Sequence, residues 1–196
     1  MIKSQETAAG KKDEIVRKAI SLFEEYGYDN VSLNRICEES GVSKTTFYYY
    51  FKSKEDLITE YLPAQDQIMM EHMADVLSRE TSLDQYWGLL SINIDMNSRI
   101  GEDMLSTSYI TYLKRREYYL PHEGATFAIS TNLLVRCQRD KLVLNITPAA
   151  ELNEAVCYAL RGVCMSWAMN KTKFDLITEC KKVVKSILIL PPGVDF

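Results

Sequence analysis

The stretch SGVSKTTFYYYFKSKEDL, residues 40–57, sets an aromatic run between lysines in a chain whose formal net charge is -4. It holds no nucleophile beside a base, no metal-ligand spacing and no glycine loop for phosphate, so its aromatics either fill a core or read a surface. Ser43 suits a helix N-cap. On a helix opening there, Phe47 and Phe51 fall four apart on one face, able to bury against Leu22, Phe23, Ile36 and Leu57. Lys44, Thr45, Thr46, Tyr48 and Tyr49 point elsewhere, and burying all of them would strand several polar groups. The competing reading makes Tyr48, Tyr49 and Tyr50 a hydrophobic ridge or an edge strand. The capping serines on both sides and the turn glycine Gly41 weigh against it.

Outward from this stretch the pattern stays helical. Apolar residues recur at three and four rather than two, and Pro and Gly fall between segments, so the fold class is all-α. A first helix is expected over about residues 12–26, with Ile15, Ala19, Leu22 and Phe23 on one stripe and Gly27 as the stop. Ser32 caps a short helix carrying Leu33, Ile36 and Cys37. Only Gly41-Val42 separates it from the helix after Ser43, the tight connection of a helix-turn-helix. Ser53 with Asp56 resembles a capping box opening a long helix, which meets Pro63. A proline inside a helix removes a hydrogen bond and clashes with the preceding turn, so a kink is expected near residues 61–63. The domains expected are 1–62, a three-helix unit, and 63–196, a larger helical one.

Downstream, Leu83, Tyr86, Trp87, Leu90 and Ile94 form one stripe, and Tyr109 to Leu113 suggest another helix closing at Pro121. Helices over about 123–139 and 148–169 are apolar around most of their circumference, which one-sided packing does not explain. Either both sit centrally in one chain, or Ile129, Leu133, Val156, Leu160, Val163 and Trp167 meet a second copy in a four-helix bundle. A last helix ends before Pro191.

The chain has 196 residues, 46% of them apolar and 26% charged, which is ordinary globular composition. Neither a secretory leader nor a membrane-spanning run is visible, so a cytoplasmic location is expected. Five cysteines without a Cys-x-x-Cys pair make a poor disulfide framework or zinc site; reduced, buried thiols are the plain reading. A redox role for Cys157 and Cys164, seven apart on one helix face, is the other. Two histidines, His72 and His122, and no phosphate loop or catalytic set argue against an enzyme, and no cofactor or metal is implied.

An acidic chain does not advertise nucleic acid as a partner, so any contact must be local. The exposed face after Ser43 has what the major groove asks of a recognition helix: short side chains, a lysine and hydroxyl-bearing aromatics. Tyrosine hydroxyls bond phosphates without needing net positive charge. Arg35, Lys44, Lys52 and Lys54 cluster here too.

The segment Ala19-Ile-Ser-Leu-Phe23, Tyr26-Gly27-Tyr28, Val31-Ser32-Leu33, Ile36, Ser40-Gly41-Val42-Ser43, Thr46-Phe47-Tyr48, Tyr50-Phe51, Lys54 and Leu57 resembles the amino-terminal domain of the tetracycline-repressor (TetR/AcrR) family of bacterial regulators, over about a quarter of the chain. The resemblance implies a homodimer of nine or ten helices per subunit, binding a palindromic double-stranded DNA operator and released by a small-molecule effector. It also implies that Ser32, Ser43 and Lys54 contact phosphates, that Lys44 and Thr46 reach base edges, and that Tyr48 and Tyr49 straddle backbone and bases. Thr45 stands where many members have glycine, and Cys37 where alanine is usual. For the effector, Met69, Met73, Tyr86, Trp87, Tyr109, Tyr112 and Phe127 could line an apolar pocket. Each is also plain core at helical spacing.

Overall fold

The computed structural model describes residues 8–60, 67–115, 124–169 and 174–196, and every regular element among them is a helix. The order is α1 (Ala8–Tyr26), α2 (Leu33–Glu39), α3 (Lys44–Tyr50), α4 (Asp56–Thr59), α5 (Met73–Leu77), α6 (Ser82–Arg115), α7 (Ala125–Arg139), α8 (Ala149–Met169) and α9 (Leu176–Leu188). Residues 67–71 are also helical. The chain divides into two compact units, one of residues 1–64 and 99–117, the other of 65–98 and 118–196. None of the described helices is long and apolar enough to cross a membrane.

The amino-terminal unit is built around the residues its periodicity selected. Ile15, Ala19, Leu22, Phe23, Ile36, Phe47, Phe51 and Leu57 are all buried, and Ile58, which the periodicity did not single out, is buried with them. Burying a side chain of this size is worth about 1.5–3 kcal/mol, enough to hold helices of seven residues that would not form alone. Gly41 takes φ 61 after α2, a left-handed conformation that glycine adopts without strain. Residues 99–117, expected in the larger domain, group here: Met104, Leu105 and Ser108 are buried, and the Tyr112 hydroxyl donates to the Ile58 carbonyl at 3.0 Å. Two separate helices were expected, one carrying Leu83 to Ile94 and one carrying Tyr109 to Leu113; α6 is indeed two helices joined across a kink at Gly101, with φ 78 and ψ 168.

The expected long helix from Ser53 needs correction. Only half of the capping box forms: the Asp56 carboxylate accepts from the Ser53 amide at 3.1 Å, while the first turn closes through the tighter bonds Leu57 N to Lys54 O and Ile58 N to Glu55 O. The α-helix therefore starts at Asp56, without a side-chain cap from its N-cap residue Glu55. The kink expected at residues 61–63 lies outside the described residues.

In the other unit, α8 packs against both α7 and α9. Leu133, Leu134 and Cys137 of α7, Leu152, Val156 and Trp167 of α8, and Cys180, Val184 and Leu188 of α9 are buried together with Leu83, Tyr86, Leu90 and Ile94 of α6. A polar cluster sits inside this core. The Tyr86 hydroxyl donates to Asn153 Oδ1 at 3.0 Å, and Asn153 Nδ2 donates to the Ser130 and Thr131 hydroxyls at 2.7 and 3.0 Å. Asn153 is 0% exposed, so its amide depends on these partners.

Candidate nucleic-acid interface

Two N-caps position the interface. Ser32 Oγ accepts the Arg35 amide at 3.2 Å and Ser43 Oγ accepts the Thr46 amide at 3.0 Å, fixing where α2 and α3 begin. An accepting serine still has its own proton to give, and Ser32 is exposed at the mouth of α2. Ser43 Oγ and Thr46 Oγ1 lie 2.9 Å apart, so one of these two hydroxyls donates to the other and Thr46, half-buried, has part of its hydrogen-bonding capacity spent within the helix.

The aromatic run divides as its spacing predicts. Phe47 and Phe51 are 0% and 3% exposed; Tyr48 and Tyr49 are 55% and 78% exposed. Lys44 and Thr45 are exposed beside them, and Tyr50 is half-buried. The rings brace one another: Phe47 meets Tyr48 edge-on at 5.8 Å and Tyr49 meets Tyr50 edge-on at 4.9 Å. Two large exposed tyrosines braced by a buried and a half-buried ring lose little side-chain freedom when something docks on them.

Two of the basic residues are engaged within the domain. The Arg35 guanidinium stacks on the Tyr26 ring at 3.6 Å. Lys54 Nζ donates to the carbonyls of Tyr28 and Val31 at 2.7 and 3.1 Å and lies 3.9 Å from the centre of the Tyr28 ring. Partial burial lowers the Lys54 pKa, opposed by Asp29 and Glu55; burial, with the same two carboxylates, raises that of Tyr28. Two of the ammonium's three donors are thus spent on the loop before α2. Neither engagement was legible in the sequence, where a basic residue near other basic residues reads as surface. Lys52 is exposed. At Cys37, burial raises the thiol pKa against the lowering influence of Lys44.

The effector-pocket residues fall in both units. Met69 and Met73 pack with Val76, Leu89 and Ile129 in a closed apolar cluster, and Tyr86 is fully buried in the polar network. Phe127 is half-buried, its carbonyl accepting from Asn153. Tyr109 and Tyr112 belong to the amino-terminal unit. Trp87 stacks on Phe196, a partner no sequence signal pointed to. Of the residues expected to face a second copy, Leu133, Val156 and Trp167 are buried within their own unit, while Leu160 and Val163 are half-buried. The large apolar residues that α8 exposes are Tyr158, Met165 and Met169, in line with exposed Gly162 at helical spacing.

Residues 15–61 match the family model described as bacterial regulatory proteins, tetR family. An HTH-type transcriptional regulator of Bacillus subtilis (strain 168), YvdT, is 34% identical over 95 residues, 48% of this chain; the match spans about half, 47%, of that relative's length. Among solved structures, a transcriptional regulator from Cytophaga hutchinsonii superposes with a TM-score of 0.69 at 20% identity, covering 92% of this chain and 97% of the other. The FadR repressor of Thermus thermophilus, solved with lauroyl-CoA, superposes at 0.55 with 16% identity, covering 90% and 93%. At these identities the solved structures speak for the fold. The domain match is carried by the same residues that build the capped α2 and α3 and the buried Phe47 and Phe51, so over residues 15–61 this chain is similar to the tetR family of bacterial regulatory proteins.

Proposed function

We propose that the chain acts in the cytoplasm as a homodimeric repressor, holding a palindromic operator through paired α3 helices and letting go when a small molecule binds the carboxy-terminal domain. The observation that carries this reading is the outward set of Lys44, Thr45, Tyr48 and Tyr49 over the buried Phe47 and Phe51. Ser32 and Ser43 give phosphates a hydroxyl at two helix starts, and Thr46 supports the base-facing edge. Arg35 and Lys54 act from behind, by fixing the surface. The exposed Tyr158, Gly162, Met165 and Met169 edge of α8 is the face for the second copy. The solved likeness with an acyl-CoA bound supports effector control of this fold.

Selection of bound sequences from random duplexes tests it. The expected product is an inverted repeat whose half-site centres lie about 34 Å apart, one helical turn. No enrichment, or a site without two-fold symmetry, would overturn the reading. A redox-sensing repressor is the second reading, favoured by one contact. Cys164 and Cys180 are buried and share a hydrogen bond between α8 and α9, with Asn97 Nδ2 3.8 Å from the Cys164 sulfur. Loss of DNA binding on oxidant titration, absent in Cys180→Ser, would favour it over ligand release.

A further inference from the structure

After α9 the chain turns back on itself. Ile189 takes a left-handed φ of 55, ending the helix, and the Val194 amide donates to the Pro191 carbonyl at 3.1 Å. Pro192 and Gly193, the latter at φ 82, occupy the two central positions, the residue pair that a type II turn prefers. Pro-Pro-Gly thus returns the final residues onto α9. Lys181 and Lys185, four apart and so on one face, both reach the Asp195 carboxylate, at 3.4 and 2.6 Å. Beside it, the Phe196 ring lies 4.9 Å from Trp87 with only 18° between the planes, and Lys181 Nζ is 3.4 Å from the Phe196 carbonyl oxygen. Both ammonium groups approach the Phe196 ring, at 5.8 and 6.0 Å. The bond from Lys185 holds the Asp195 carboxyl at a pKa of about 2.

The receiving half of this contact is an indole face with two lysines at its rim. It is filled by a flat ring one residue from a carboxylate. We propose that Trp87, Lys181 and Lys185 form a binding site for an aromatic ring bearing an acid group, and that Asp195-Phe196 is its resident occupant, displaced when such an acid binds. Stacking on Trp87 selects the ring. The lysines select the charge. Each tail contact is weak because the ion pairs are exposed, and the tail holds the site through proximity, at an effective concentration on the order of millimolar. A free acid of the same chemistry can compete with an occupant held in that way.

The site goes beyond the regulatory reading and is tested without DNA, so a chain that bound no operator would leave the result legible. The probes are 3-phenylpropionate and its neutral amide, followed by the fluorescence of Trp87. Trp87→Phe identifies that signal, since Trp167 is buried. A chain ending at Leu190, which keeps the bonds from Leu144 and Asn145 to the carbonyls of Ile189 and Leu188, should bind the acid about tenfold more tightly than the full chain and prefer it to the amide. Lys181→Gln with Lys185→Gln in the shortened chain should erase that preference. Should shortening unfold the protein, Phe196→Ala in the full chain makes the same comparison. Equal affinity with and without the tail, no binding to a folded tail-free chain, or an acid preference that survives both lysine substitutions would overturn the proposal.

Discussion

Replacing Lys54 by alanine separates two roles that one lysine could have beside DNA. If it is a phosphate contact, its loss weakens binding and spares the fold. If it is a tether, the loop before α2 loosens first. The geometry argues for the tether: two carbonyl acceptors at 2.7 and 3.1 Å and an aromatic face at 3.9 Å. Hydrogen bonds to a charged donor contribute about 1.5–3 kcal/mol each, and a partly exposed cation–π contact about 0.5–1. Water can replace part of both because Lys54 is only half-buried, and ordering the side chain costs about 1–2 kcal/mol. The net expectation is about 2 kcal/mol.

That magnitude is readable by hydrogen exchange, since about 2 kcal/mol multiplies the local opening equilibrium by roughly thirty. In Lys54→Ala the amides of α2 and of the loop at Asn30 and Val31 should exchange about thirtyfold faster, while those of α8 stay unchanged. Lys54→Met, which keeps the stem over Tyr28, should recover part of the protection. The salt dependence of operator affinity gives the opposing readout. With Lys44 and Lys52 as the exposed cations of each interface, a dimer neutralises about four phosphates and log affinity falls with log salt at a slope of about −4. The tether leaves that slope as it is. Unchanged exchange together with a slope shallower by about two, one for each protomer, would refute the tether and make Lys54 a phosphate contact.

Tyr49→Ala should shift stability by less than about 0.5 kcal/mol yet lower operator affinity about tenfold, equivalent to one lost contact of roughly 1.4 kcal/mol; denaturant melts and fluorescence anisotropy check the pair. Phe47→Ala should cost about 3–5 kcal/mol by leaving a cavity, visible as exchange throughout α1 to α3. Tyr86→Phe removes the donor to Asn153 Oδ1 and should destabilise by about 1–3 kcal/mol, and urea midpoints measure it. Burial holds the Cys157 thiol up to about 11, so above about pH 8.5 an unfolded chain releases a proton that the folded one keeps. Stability should therefore fall between pH 8.5 and 11, by up to about 1.4 kcal/mol per unit for this thiol, and Cys157→Ala should flatten the fall.

The aromatic run was legible because its chemistry and its spacing agree: two phenylalanines four apart demand a core, and hydroxyl-bearing rings between them demand water. The same local agreement placed the caps at Ser32 and Ser43. It failed at Ser53, where the Asp56 carboxylate took the Ser53 amide while the Asp56 amide went to the Ser53 carbonyl of a tighter first turn. It failed more widely where a residue's role depends on distant chain. Periodicity showed that Leu133, Val156 and Trp167 are apolar and lie on helices, but could not say whether their own chain or a second one covers them. Their own unit does. Nor does spacing record that Phe196 returns to Trp87, 109 positions away by number; only Pro-Pro-Gly hinted that the tail turns at all.

The negative charge of the whole chain and the proposed DNA-reading surface are compatible because the charges that matter are sorted by position. Around α3 the exposed groups are Lys44, Thr45, Tyr48, Tyr49 and, after the helix, Lys52. No carboxylate stands between residues 40 and 54, so an approaching phosphate meets no like charge within the run. Beyond about 8–10 Å the acidic remainder is screened at physiological salt. In the proposed operator complex, neutral hydroxyls would supply many of the backbone contacts, keeping the counterion-driven share of affinity small. The tethers made by Arg35 on Tyr26 and Lys54 on the loop carbonyls follow the same economy of charge. They spend cations inside the domain, on Tyr26 and on the loop before α2, and in the proposed complex leave reading to groups whose geometry, rather than charge, discriminates.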